Sequence, residues 1–488
     1  MPPRLLAHNG AGAVVGDKLI YHLSLDLSFT HICADNKKRS VFLKGLASPP
    51  TDAESIKARQ EVLRDFIRSP ELIERMAELA ETLGTIREKW NDYRREKYHS
   101  MHDVSLRDTS AIPLTQCKAV AMSLRSALIF IRDLGELLDN YPIESPLLSS
   151  MRDEAKEMSS SPSFISLTAL CGELEYRPAR DPLDVRVTLN AQGQIGAVEL
   201  MDHKHIRITD PDLAPRRSLF KKQPPQETYP CERLYPASNT VYEKLYTTPY
   251  FEVTNVLDHI IKQIFDRYSN LSSDLAFYGA ARLYCEYMSD HGVSLIFPDF
   301  HDGGGVEVEK LYDLQFIVTK NTLSDIVPHS ISCTSESEKG IVIFGDNGSG
   351  KTSFLRSFTT MQLLAQSGLP VPAEKASLRA YSGIISQFAE SERDFEPGND
   401  AGRFEQEVRE MASLIDCIPR NSLVILNETF QTTSYEEGAA GLAAILRYLS
   451  REGVTCLLAS HMRQLKSIFE NDEVIYMTVS RQHELSLE

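Results

Sequence analysis

The sequence predicts a multidomain protein: an all-α region carrying a small β-hairpin insertion, followed by a C-terminal α/β domain built on a phosphate-binding loop. Three observations carry this prediction. A length of 488 residues is too great for one hydrophobic core. Apolar residues recur at helical spacing through most of the first 300 residues and alternate with polar ones only near 185–201. From 301 onward, short apolar runs alternate with helical patterns. The expected divisions are 1–182 for a helical core, 183–238 for the hairpin and a proline-rich stretch, 239–300 for long helices and 301–488 for the α/β domain.

Composition narrows the class. Apolar content of 42% and charged content of 25% are ordinary for a globular chain. No run of 18 apolar residues exists, so no membrane span is expected. Met1-Pro2-Pro3-Arg4 lacks the apolar core of a signal peptide. Eight cysteines are scattered singly with no CxxC, as suits free thiols in a reducing cytoplasm. The net charge of −16 argues against a protein that coats nucleic acid, but leaves room for a local basic patch.

Within 1–182, Lys37–Leu43 reads as a short helix that Pro49-Pro50 closes off. Thr51-Asp52 then has the chemistry of a helix cap. Ile56, Leu63, Phe66 and Ile67 mark one face of the helix from Ala53 to Met76, and Pro70 is expected to break it. The charged pattern of 71–98 continues as helix. Trp90, spaced with Ile86 and Tyr93, reads as core. Helices follow over Ala119–Leu138, Pro146–Met158 and a short stretch after Pro162.

The period then changes to two. Val185, Val187 and Leu189 alternate with polar residues, Asn190–Gly193 is a turn, and a second strand runs over Ile195–Met201. The prolines from Pro211 to Pro230 mark an irregular stretch with a basic cluster, Arg216, Arg217, Lys221 and Lys222. That cluster would suit phosphate or simply solvent. Over 240–290 the helical pattern resumes, with Val256, Ile260, Ile264 and Tyr268 at i, i+4 spacing, until Pro298.

The densest chemical signal is Ile341-Val-Ile-Phe344 followed by Gly345-Asp346-Asn347-Gly348-Ser349-Gly350-Lys351-Thr352-Ser353. Four apolar residues form a strand, the GxxxxGKT pattern forms a glycine loop, and Phe354, Leu355 and Phe358 recur at helical spacing. The loop's N–H groups and the helix N-terminus cradle phosphate. Lys351 would reach the β- and γ-phosphates, and Thr352 would hold Mg²⁺.

A second strand, Ser422–Leu426, ends in Asn427-Glu428. A carboxylate pair is usual there: an Asp for the cation and a Glu for the attacking water. Glu428 fits its role, whereas Asn427 brings a neutral oxygen to the cation. A third strand, Val454–Ser460, carries His461 at its tip, a candidate γ-phosphate sensor. Gly402–Glu407 and Thr432–Ser434 flank the second strand, where head-to-head ATPases contact a partner's nucleotide.

At this point the chain resembles the MutS family of mismatch-repair ATPases. Ser48–Gln60 is similar to the family's core-domain segment, and Asp290–Phe300 to the end of its lever helices. Val327–Ser330 lies where the family places a phrase beside the adenine, and Val371–Lys375 resembles the stretch after its P-loop helix. The resemblance implies an α-helical core and lever domain with an ABC-type P-loop ATPase, with ATP and Mg²⁺ as cofactors. It places Ile326 and His329 beside the nucleotide, and implies a homodimer with composite ATP sites. DNA is an implied partner, addressed through branched or damaged structure; a nucleotide-switched protein-interaction ATPase is the alternative.

The departures are informative. The sequence starts near the core segment, so a short form without the mismatch-reading domain is the expectation. The family's asparagine-methionine-glycine loop core is replaced by Asn347-Gly348-Ser349. Its signature serine gives way to Gly402-Arg403 before Phe404, and Asn427 replaces the cation-binding Asp.

Overall fold

A computed structural model describes residues 4–6, 12–102, 112–176, 185–189, 195–200, 207–209, 240–301, 305–320, 323–333, 340–346, 348–388, 400–430, 434–469, 474–479 and 485–487. From the N-terminus, strand β1 (Val14–Val15) leads into helices α1 (Leu19–His22), α2 (Leu25–Ile32) and α3 (Asn36–Leu46). Asp35 caps α3 by accepting the N–H groups of Lys37 and Lys38. Helix α4 (Ala53–Arg68) begins at the predicted cap, where Asp52 accepts the Ser55 N–H, and Pro70 opens α5 (Pro70–His102). Next come α6 (Ile112–Asp139), α7 (Pro146–Ser160) and α8 (Pro162–Tyr176). The last two open on proline, whose missing N–H costs nothing in a first turn.

Strands β2 (Val185–Leu189), β3 (Ile195–Leu200) and β4 (Arg207–Thr209) make a three-stranded antiparallel sheet, one strand more than the predicted hairpin. The basic cluster at 216–222 lies outside the described residues. Two long helices follow, α9 (Thr240–Arg267) and α10 (Leu271–Asp290).

The remaining chain alternates as expected. Strands β5 (Asp299–Phe300) and β6 (Val306–Leu311), helix α11 (Leu314–Lys320), a 3-10 turn (Leu323–Asp325) and β7 (His329–Cys333) precede the P-loop. Then come β8 (Gly340–Phe344), α12 (Lys351–Gln366), β9 (Lys375–Leu378), β10 (Gly383–Phe388) and α13 (Asp400–Cys417). The chain continues through β11 (Ser422–Asn427), α14 (Tyr435–Arg451), β12 (Thr455–Ala459), α15 (Leu465–Ile468), β13 (Val474–Val479) and β14 (Leu485–Leu487).

The described residues gather into two compact units. One contains Arg75–Tyr141 and Ser150–Asn270; the other contains Arg4–Glu74, Pro142–Ser149 and Leu271–Glu488. This grouping differs from the expected 1–182 and 239–300 divisions. The reason is aromatic packing: Phe42 stacks on Phe277 at 5.1 Å and Phe66 meets Tyr278 at 5.5 Å, so α3 and α4 share a core with α10.

In the first unit, α6 packs against α8 and α9. Trp90 is buried as expected of a core residue. Its indole N–H donates to Asp258 at 2.7 Å, and its ring meets Phe265 at 5.2 Å. The predicted i, i+4 face of α9 needs correction: Val256 is 44% exposed. Ile260 is half-buried, while Ile264 and Tyr268 are buried as predicted, together with Val253, Leu257, Ile261 and Phe265. A strict four-residue step drifts by about 40° per step around the helix, so a stripe that stays on the core must alternate threes and fours.

The second unit holds a seven-stranded sheet in the order β1-β10-β11-β12-β8-β13-β14, parallel except for β14. Every residue of β8 and β11 is buried, as strands covered on both faces require. One face carries Val342, Val424, Leu426 and Leu458 against α14 residues Leu442, Leu446 and Leu449. A four-stranded sheet, β5-β9-β6-β7, lies in the same unit. The N-terminal β1 closes the edge of the large sheet, with Val14 opposite Gly383.

Candidate functional site

Strand order builds the site. β12 lies between β8 and β11, and all three are parallel, so their C-terminal ends meet at one edge. Ligands of open α/β sheets bind at that edge. The ends are tied together: the Ser460 N–H donates to the Ile343 carbonyl at 3.1 Å, and the Glu428 N–H donates to the Ala459 carbonyl at 3.0 Å.

The loop after β8 turns on two left-handed glycines, Gly348 at φ +79° and Gly350 at φ +102°. At Gly345, a Cβ would stand 2.4 Å from the Ser349 Oγ and 3.1 Å from the Val479 carbonyl oxygen, so the loop leaves little room for a side chain there. Lys351 is buried and folds over the loop. Its Nζ donates to the carbonyls of Gly345 at 2.7 Å and Asp346 at 3.1 Å, and stands 3.9 Å from Glu428 Oε1. The Asp346 carbonyl also accepts the Ser349 N–H at 3.1 Å. Thr352 Oγ1 donates to Asn427 Oδ1 at 3.2 Å, so the loop and the second strand meet side chain to side chain.

Glu428 sits at φ +56° and Phe430 at φ +64°, left-handed positions for residues with side chains. Backbone hydrogen bonds over-determine this turn. Besides the Glu428–Ala459 bond, the Phe430 N–H donates to Glu407 Oε2 at 2.9 Å, and burial raises the Glu407 carboxyl above its ordinary value.

A cleft of about 510 Å³ opens beside the loop. Gly348, Gly350, Lys351, Thr352, Ser353 and Glu428 form one wall, and Ile326 and His329 contribute to the other. His329 packs edge-on against Phe354 at 5.5 Å. Asn347 falls outside the described residues, as do Thr432 and Thr433. His461 is not part of the cleft lining; its ring meets Tyr435 edge-on at 5.5 Å.

The structure adds residues that pattern reading missed. Phe316, Lys320 and Asp325 line the cleft from α11 and the turn after it. Ser353 Oγ donates to Asp313 Oδ2 at 2.9 Å, and Asp313 Oδ1 accepts the Gln315 N–H at 2.8 Å. Burial raises the Asp313 carboxyl, with the Ser353 hydroxyl opposing that shift. Asp313 precedes the apolar run of α11, so its capping chemistry was a readable signal. Its contact with Ser353 spans 40 positions and left no local trace.

Residues 341–486 match the family model described as MutS domain V. Over that domain, the chain is similar to MutS proteins. It is 30% identical over 151 residues to a mitochondrial DNA mismatch repair protein mutS homolog of Sarcophyton glaucum, covering 31% of this chain and 15% of that one. It is 32% identical over 145 residues to a DNA mismatch repair protein MutS of Halothermothrix orenii, covering 29% and 16%. An Endonuclease MutS2 of Fusobacterium nucleatum is 29% identical over 136 residues, covering 28% and 17%. The aligned stretch thus spans less than a fifth of each of these relatives.

The MutS match begins in β8 and ends in β14, so it encloses the loop, the Asn427 strand and the His461 strand. Ile326 and His329 precede it. They reach the cleft through the second unit's fold, in which the turn and β7 lie beside the P-loop helix.

Proposed function

We propose that the cleft binds ATP with Mg²⁺ and hydrolyses it slowly. The contact between Thr352 and Asn427 carries this reading, because it brings the two expected cation ligands together at the phosphate loop. Both offer neutral oxygens, which fit a hard cation that keeps several of its waters. Mg²⁺ would supply charge neutralisation for the β- and γ-phosphates.

The chain's own groups do the rest. The loop's N–H groups and the N-terminus of α12 face phosphate. Lys351 exchanges its loop carbonyls for phosphate oxygens, which forms stronger, charge-assisted hydrogen bonds. Glu428 orients a water and accepts its proton. Ile326 and His329 hold the base, and His461 contacts the γ-phosphate only if it swings away from Tyr435.

The reading extends to a cytoplasmic homodimer with composite ATP sites that binds branched or damaged DNA. The match to MutS domain V supports DNA as the partner. The acidic balance of −16 supports the alternative, a nucleotide-switched ATPase that docks protein. One experiment separates them: ATP hydrolysis measured without DNA and with duplex, branched and mismatched DNA. Stimulation by branched DNA supports the first reading, and hydrolysis indifferent to every DNA supports the second. No Mg²⁺-dependent ATP hydrolysis in any arm overturns both.

A further inference from the structure

Far along the second unit from the phosphate loop, residues 4–6 lie in a slot that recognises main chain. Leu5 is 1% exposed. Its N–H donates to Asp274 Oδ2 at 3.0 Å, and the Leu6 N–H donates to the same oxygen at 3.4 Å. The Leu5 carbonyl accepts the Tyr278 hydroxyl at 2.9 Å, and the Leu6 carbonyl accepts Arg59 Nη2 at 2.9 Å. Four backbone groups on two successive residues are therefore held by side chains that are themselves buried.

The arrangement of charge is the telling feature. Buried Asp and Arg side chains normally pair with each other, since an uncompensated charge in the interior is costly. Here the hydrogen bonds of Asp274 and Arg59 among the described residues go to the strap's backbone, not to each other. Nε and Nη1 of Arg59 are buried without a partner among the described residues. The strap thus occupies the place of a ligand between two opposite charges.

The slot also joins three elements. Asp274 and Tyr278 stand one turn apart on α10, and Arg59 is on α4. Helix α4 lies against the second residue past α12: a Cβ at Gly368 would stand 2.4 Å from the Arg59 Cβ. Holding α10 to α4 therefore also fixes α10 against the far end of the P-loop helix.

We propose that Asp274, Tyr278 and Arg59 form a main-chain-binding slot whose ligand is the chain's own residues 4–6, and that its occupancy locks α10 to α4. This inference does not depend on the nucleotide reading. The test uses the chain lacking residues 1–11 and a capped synthetic peptide of those residues, followed by melting and deuterium exchange. Truncation lowers the melting temperature by about 5 °C or more and raises exchange in α4 and the first half of α10. Adding the peptide reverses both saturably, while a peptide with Leu5→Asp does not. A folded truncation with unchanged melting, or one that ignores the peptide, overturns the proposal. If the truncated chain does not fold, Leu5→Asp in the full chain decides. Faster exchange confined to residues 4–6, α4 and α10 supports the slot; uniform loss of protection, or none, refutes it.

Discussion

Thr352 Oγ1 stands 3.2 Å from Asn427 Oδ1 and donates to it. An aspartate there would accept the same proton through a charge-assisted bond and bring a full negative charge to the cation. Asn427→Asp is therefore expected to lower the Mg²⁺ concentration that half-saturates ATP hydrolysis by about tenfold, within the ~1–3 kcal/mol of a charged interaction. Steady-state hydrolysis titrated with Mg²⁺ in both proteins measures this. Superimposable titrations would show that the neutral ligand imposes no penalty.

Lys351 and Glu428 separate binding from turnover. Lys351→Ala removes the only cation on the loop wall of the cleft among the described residues, and fluorescent ATP binding should be lost. Glu428→Gln keeps the size of the side chain but not its basicity. Binding should persist while single-turnover hydrolysis falls by about 10²-fold or more. Equal rates for Glu428→Gln and the unmodified protein would remove Glu428 from the chemistry.

What the sequence made legible was local. Asp52 capping α4, Pro70 breaking the long helix and the glycine loop each depend on neighbours within a few residues. So does the pairing of an apolar strand with Asn427-Glu428 at its end. The insertion of β12 between β8 and β11 was not legible, because strand order is set by crossovers that leave no local pattern. Two-residue β1 is too short to carry a period, and its place at the sheet edge depends on Gly383, more than 360 positions away. The N-terminal residues carry no local pattern for the same reason. What holds Leu5 comes from Arg59, Asp274 and Tyr278.

Gly368 tests how tightly α4 abuts the P-loop helix. Its φ of +88° costs any other residue about 1–2 kcal/mol. A new Cβ would also meet the Arg59 Cβ at 2.4 Å, a contact that backbone must move to relieve. Gly368→Ala should destabilise by more than about 2 kcal/mol, whereas Gly279→Ala, whose added Cβ meets open space within a helix, should be neutral or stabilise by up to about 1 kcal/mol. Chemical denaturation of both variants provides the comparison. A Gly368→Ala protein as stable as Gly279→Ala would mean that the helices part without cost.

Asp274 should write itself into the pH dependence of stability. Burial pushes its carboxyl from 3.8 up to about 6, opposed by the Leu6 and Leu5 amides and by Arg4 and Arg59. The groups around it are Arg4 on the strap, Arg59 on α4 and Tyr278 on α10. A raised carboxyl means that the folded state holds this proton more tightly than the unfolded chain. Above about pH 6 both states are ionised and the buried charge destabilises the fold. As pH falls from 6 towards 3.8 the folded state takes up a proton first, and the penalty is relieved. Asp274→Asn has no such proton to gain. Relative to that variant, the unmodified protein should gain about 1–2 kcal/mol between pH 7.5 and 4.5. Urea denaturation at both pH values yields the difference, in which titrations common to both proteins cancel. Parallel stability curves would place the Asp274 carboxyl at its ordinary value, despite its burial beside Leu5.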